Sequence, residues 1–307
     1  MSADLSQDIL YRNFLLNDAD IADSIEAGAG AGKGIDGCVV DSWDLTDVQV
    51  TQFTEKRALQ SGVDAGDVYL GMRTLKMAGT LYGSTRGIFY DKLNEFMAVT
   101  NPELAQREIP ADKGYLPLYF VHPTNRTVDY PDGVVDAFVN AMPRARQYII
   151  QRDQQGGLDI QGLAVPWQAT FVMRDPSIYG VDLEDIDLSG GGTVAGNFTN
   201  RGNYLSRLNM LVVVGSAAGS ISITAGGVTI TISVPASTGN RTIRYKGYDK
   251  LLTIEENSVE VIRMDKLVLP TSGQHPIIPS GTSAYSVTFT TVVPQAGSHM
   301  WFYETYA

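Results

Sequence analysis

The sequence predicts a mainly β protein of 307 residues, in which an α+β amino-terminal domain with one clear helix precedes an all-β sandwich. Three observations predict it. Within residues 67–82, Leu75, Met77 and Leu81 alternate with Thr74, Lys76, Ala78 and Thr80, the two-residue period of a strand with one buried face. Within residues 220–234, Ile221 and Ile223 answer Val228, Ile230, Ile232 and Val234 across Gly226-Gly227, a pair free to take the positive φ of a two-residue turn. Beyond Gly180, strand signals recur between turns with no clear helical period, the pattern of a sandwich or flattened barrel.

The strand of residues 67–82 runs directly into a helix. Ser84 or Thr85 can cap it, Phe89, Leu93, Phe96 and Met97 share one face, and Asn101-Pro102 stops it. Val134, Val135, Phe138, Val139 and Met142 have helical spacing up to Pro143, although their β-branched content also suits a strand. Tyr115 to Val121 and Arg146 to Ile150 read as further strands, and Asp175-Pro176 interrupts regular structure. The domains are therefore drawn as 1–178, an Asp- and Gly-rich connector at 179–192, and 193–307. In the last of these, strands are expected at 208–214, 251–254, 259–264, 285–293 and 301–306.

Composition narrows the chemistry. The formal net charge of -11 divides into 15 Lys+Arg against 28 Asp+Glu in residues 1–187, and 8 against 6 in residues 188–307. An acidic field repels phosphates, so no specific nucleic-acid recognition is expected. No apolar run approaches the ~20 residues that span a bilayer, so no membrane insertion is expected. MSADLSQDIL lacks a basic region followed by an apolar core, so synthesis in a cytoplasm is expected. A single cysteine, Cys38, reads as a small buried hydrophobe, and His122, His275 and His299 show no metal-ligand spacing, so no metal and no cofactor are predicted.

Catalytic motifs are missing. Ala27 to Gly34 imitates a phosphate loop but has Ala27 for its first glycine and Gly34 for the magnesium-binding hydroxyl. Asp182, Glu184, Asp185 and Asp187 lack the ligand order of a calcium loop and read as a solvated turn. No Gly-x-Ser-x-Gly or His-Glu-x-x-His occurs. His299, Trp301 and Tyr303 offer aromatic faces and a polar tip suited to a sugar, or alternatively serve as core or edge residues.

Several segments, in order, resemble the distal tail proteins of long-tailed siphophages, the hub that joins tail tube to tail tip. Phe14-Leu-Leu-Asn17 is similar to that family's opening strand. Thr54-Glu-Lys-Arg57, Ser61-Gly62, Tyr69-Leu-Gly-Met-Arg73 and Leu75-Lys-Met-Ala-Gly79 resemble the strands of its ring-forming belt. Phe171-Val-Met-Arg-Asp-Pro-Ser-Ile-Tyr179 resembles the step out of the ring domain, and Gly202-Asn203, the Gly226-Gly227 hairpin and Ile277 to Thr282 resemble its galectin-like carboxyl-terminal domain. The resemblance implies a non-enzymatic virion protein at the distal end of the tail. It implies a hexameric ring through which DNA passes, contacting the tail tube protein and the tail-tip and receptor-binding proteins. It also places a belt interface on Tyr69, Arg73, Leu75, Met77 and Leu81. The rival reading is a carbohydrate-binding tail-tip adhesin using His299, Trp301 and Tyr303; a glycan-cleaving enzyme is a third.

Overall fold

The computed structural model describes residues 7–26, 35–46, 50–56, 63–70, 72–104, 115–124, 130–148, 164–173, 177–247 and 249–306. The protein is mainly β, in two compact units, Met1–Ile178 and Tyr179–Ala307. Asp175-Pro176 and the segment Ala27 to Gly34 lie outside the described residues.

Unit 1 opens with the hairpin of β1 (Ile9–Tyr11) and β2 (Phe14–Asn17), then α1 (Ala19–Glu26) and β3 (Gly37–Leu45). The hairpin of β4 (Val50–Lys56) and β5 (Val63–Leu70) follows, then β6 (Arg73–Tyr82), α2 (Arg86–Val99), β7 (Leu116–Pro123), β8 (Val134–Tyr148) and β9 (Ala164–Met173). One antiparallel arm runs β3-β6-β9-β8 and the other β8-β7-β1-β2. β8 belongs to both. Its first half pairs with β7 and its second with β9, and the register shifts between Pro143 and Ala145. Proline has no N–H to give a ladder, so it marks the bulge at which the strand bends from one arm into the other. Here the strand alternative wins over the helical spacing of Val134 to Met142, because β7 offers β8 a continuous pairing partner.

The arms close on one core. Tyr11 meets Phe171 edge-on at 5.1 Å and donates its hydroxyl to the Ala141 carbonyl at 3.1 Å, while Trp43 lies 5.1 Å from Phe120. Thr85 caps α2 by accepting from the Ile88 N–H at 3.3 Å, and Phe89, Leu93 and Phe96 are buried, as the spacing predicts. Phe96 packs between Trp167 at 5.0 Å and Phe14 at 6.1 Å. The Arg146 guanidinium donates to the Met97 carbonyl and satisfies one of the orphan acceptors of the last helical turn.

The single strand expected over residues 67–82 is two strands with different partners. β5 pairs with β4, whereas β6 pairs with β3 and β9. Thr46 closes the β3–β6 ladder just before the excursion: its N–H donates to the Thr74 carbonyl at 3.0 Å and its hydroxyl accepts from the Thr74 N–H at 2.9 Å.

Unit 2 is a sandwich. Its first sheet runs β18 (Val259–Ile262), β17 (Leu251–Glu256), β16 (Arg241–Lys246), β13 (Asn209–Val214), β22 (His299–Tyr306) and β10 (Ile178–Asp187). The second runs β11 (Thr193–Asn200), β21 (Gly281–Thr290), β14 (Gly219–Ala225), β15 (Val228–Val234) and β19 (Leu267–Val268), with a small pair of β12 (Ser206–Arg207) and β20 (Ile277–Ile278). Met210, Val212, Ile243 and Phe302 from the first sheet and Ile221, Ile223, Ile230 and Val287 from the second form one apolar core. The β14–β15 hairpin has the expected register, Ile221 opposite Ile232 and Ile223 opposite Ile230, with Gly226 and Gly227 at φ 55° and 77°. A Cβ at Gly226 would stand 2.0 Å from the Ile277 carbonyl oxygen, so the turn needs glycine for space as well as for φ.

Residues 179–192 are not a free connector. They continue β10 to Asp187, bury Leu188 completely and pack Ile186 against the sandwich core before turning through Gly191 and Gly192 at φ 70° and 65°. The acids gave the segment a loop-like composition, yet β22 supplies it with a pairing partner. Drawn at the observed boundary, unit 1 holds 15 basic against 24 acidic residues and unit 2 holds 8 against 10, so the charges are −9 and −2.

Candidate assembly and ligand surfaces

Two surfaces correspond to the residues singled out in the sequence. The first is the predicted belt. Leu75, Met77 and Leu81 are 0%, 2% and 1% exposed in the single chain, and Arg73 is 5% exposed with its Nε donating to the Thr46 carbonyl at 3.2 Å. These side chains belong to the core of unit 1, so the partner-facing role assigned to them is corrected. Alternation marks a buried face without saying which body covers it; here α2 packs against β6, and Tyr11 of β1 and Phe120 of β7 meet Phe171 and Trp43, the cross-strand neighbours of Leu75 and Met77. Tyr69 is paired with Thr51 in the β4–β5 hairpin, and its side chain lies outside the described residues.

That hairpin forms a two-stranded sheet of its own. Among the described residues β4 and β5 pair with each other and with no third strand. Strand edges that pair with no further strand among the described residues are the kind that recruit another strand readily.

The second surface is the outer face of the first sheet of unit 2. Along β22, Met300, Phe302 and Glu304 are buried while His299, Trp301 and Tyr303 are half-buried on the opposite side. His299 stacks on Trp301 at 4.6 Å with 28° between planes, and its Nδ1 lies 3.0 Å from Asp185 Oδ1 on β10. Tyr303 lies 6.3 Å from Tyr179. The structure thus brings the three predicted aromatics together on one face, as the period of a strand requires. Sequence reasoning missed Asn209, which sits opposite Trp301 in β13, and Lys246, opposite Asn209 in β16. Asn209 and Lys246 lie far before Trp301 in the sequence, and only strand pairing brings the three into one row.

Among the described residues no three His, Cys, Asp or Glu side chains stand together as metal ligands would. Burial drives the Cys38 thiol well above its ordinary value and so keeps it protonated. The carboxylates that line a recess beside α1 have structural work: Asp18 accepts from the Ile21 N–H, and Asp36 accepts from the Ser84 hydroxyl at 2.9 Å. No described helix is long and apolar enough to cross a membrane.

No protein-family profile matches the chain, and no curated protein matches it. Solved structures do. One is the Dit (gp 19.1) protein of SPP1, described as a paradigm of the hub adsorption apparatus in phages infecting Gram-positive hosts; it is 10% identical, with 88% of this chain and 93% of that one covered and a TM-score of 0.47. The baseplate of phage P2 in its activated conformation matches in its calcium form (7% identity, 85% and 87% covered, TM-score 0.41) and its strontium form (7%, 85% and 88%, 0.42). The chain is similar to phage hub and baseplate proteins.

Proposed function

We propose that the protein is a structural component of a phage tail tip, a distal tail hub whose copies join side by side in a ring between tail tube and tip. The β4–β5 hairpin carries the reading. It leaves the unit 1 sheet between two strands that pair directly with each other, and among the described residues neither of its edges pairs with a further strand, which suits them to meet a neighbouring copy. The order of the belt-like segments supports the same reading, since Thr54 to Lys56 and Tyr69-Leu70 fall in this hairpin. Six copies, a passage for DNA and contacts with the tube and receptor-binding proteins are what the family resemblance adds. A unit 1 charge of −9, multiplied by cyclic symmetry, suits a wall that does not retain DNA. A hub works through complementary surfaces, in keeping with a non-enzymatic role. Negative-stain electron microscopy of the purified chain tests the proposal: closed rings with a central hole are expected, and a population of monomers at high protein concentration overturns it.

A second reading has its own observation. The stacked His299–Trp301 pair on an outer sheet face gives unit 2 an aromatic platform of the type on which sugar rings lie. This fits a carbohydrate-binding role for unit 2 at the tail tip. Binding of oligosaccharides that is lost in Trp301→Ala tests it.

A further inference from the structure

We propose that the outer face of the first sheet of unit 2 takes an anionic saccharide, one ring on Trp301 and its charged group at Lys246. The proposal rests on the carbohydrate reading and names the class of sugar.

The cross-strand row carries the argument. Trp301 is opposite Asn209 in β13, and Asn209 is opposite Lys246 in β16. Two strand spacings of about 4.8 Å separate the indole position from the lysine position, so a short saccharide spans them. Lys246 ends β16, and Lys250 in the turn that follows has φ 52° and its N–H directed to the Gly247 carbonyl. That turn is held in place because the Gly247 N–H donates to both the Leu208 carbonyl at 3.0 Å and Asn209 Oδ1 at 3.2 Å.

Most other cations of unit 2 are engaged, the buried Arg241 by donating to the Gly215 and Ala217 carbonyls. In unit 2, Arg201 is paired with Glu184 and Glu304, Arg244 with Glu255, and Arg263 and Lys266 with Asp265. Lys246, exposed at the end of β16, makes no ion pair among the described residues. The other flank is acidic, with Asp185 beside His299, so the face has a direction and the anionic end of a ligand belongs at the Lys246 side. A long nucleic acid is disfavoured by the net charge of −11, whereas a short acidic sugar samples only the local field.

The test is titration of the full chain, by calorimetry, with a galacturonate trisaccharide, its carboxyl-reduced neutral counterpart, and inorganic phosphate. The acidic trisaccharide is expected to bind roughly tenfold more tightly than the neutral one, the size of one charge-assisted hydrogen bond. Lys246→Ala is expected to erase that margin, Lys246→Arg to keep it, and Trp301→Ala to weaken both sugars. Lys246 is exposed, so its replacement leaves the fold intact. Equal binding of the two sugars overturns the anionic assignment and leaves the carbohydrate reading standing. No binding of either sugar overturns both. Phosphate that binds as tightly as the acidic trisaccharide, unaffected by Trp301→Ala, overturns the stacked pose in favour of a simple anion site.

Discussion

Leu75 lies directly opposite Phe171 across the β6–β9 ladder, and neither side chain reaches solvent. The face that alternation marked in the sequence is therefore interior to unit 1, and assembly has to use other surfaces. Leu75→Ala is expected to destabilise unit 1 by about 2–5 kcal/mol through lost burial and the cavity left behind. Met77→Asp is expected to unfold the unit, since it buries an unpaired carboxylate. Near-ultraviolet circular dichroism and urea unfolding check this; a Met77→Asp protein that keeps its tertiary signal contradicts the assignment.

The β4–β5 hairpin is where assembly is expected to be lost without unfolding. Replacing residues 50–70 by a short Gly/Ser linker leaves the β3–β6 ladder, which the Thr46–Thr74 pair closes. Light scattering is expected to show a folded monomer in place of the ring. Rings that survive the deletion remove the hairpin from the interface.

The boundary between the units predicts how fragments behave. Residues 179–307 are expected to melt as one cooperative body, because they contain every strand of the sandwich core. A fragment starting at residue 193 lacks β10 and with it Ile186 and Leu188, so it is expected to melt at a lower temperature or stay unfolded. Calorimetry of the two fragments decides; equal melting temperatures contradict the placement of β10 in the sandwich.

His122 predicts an acid-side weakness of unit 1. Burial, and then the charge of Arg73, lower it from 6.5 to about 4. The folded state holds it neutral while the unfolded chain protonates it at its ordinary value. Its contribution is thus fully present above pH 6.5 and is lost as pH falls towards 4, at up to about 1.4 kcal/mol per pH unit. Urea midpoints at pH 7 and pH 5 are expected to differ less in His122→Gln than in the natural protein. An unchanged difference shows that other groups set the acid sensitivity.

Local chemistry determined a good deal of this protein from sequence alone. Thr85 and the spacing of Phe89, Leu93 and Phe96 fixed α2, because a cap and a 3.6-residue period act within one helix. Gly226-Gly227 between alternating runs fixed the β14–β15 register, because a two-residue turn dictates which residues face each other. The tertiary structure decided what depends on a distant partner. It showed that the apolar face of β6 is covered by its own unit, that β8 bends at Pro143 to serve two arms, and that the acidic residues of β10 ride on a strand paired with β22. It also placed Trp301, Asn209 and Lys246 in one row. A side chain's period records that one face is buried, but the burying surface comes from residues far along the chain, and their position is settled only when the strands pair.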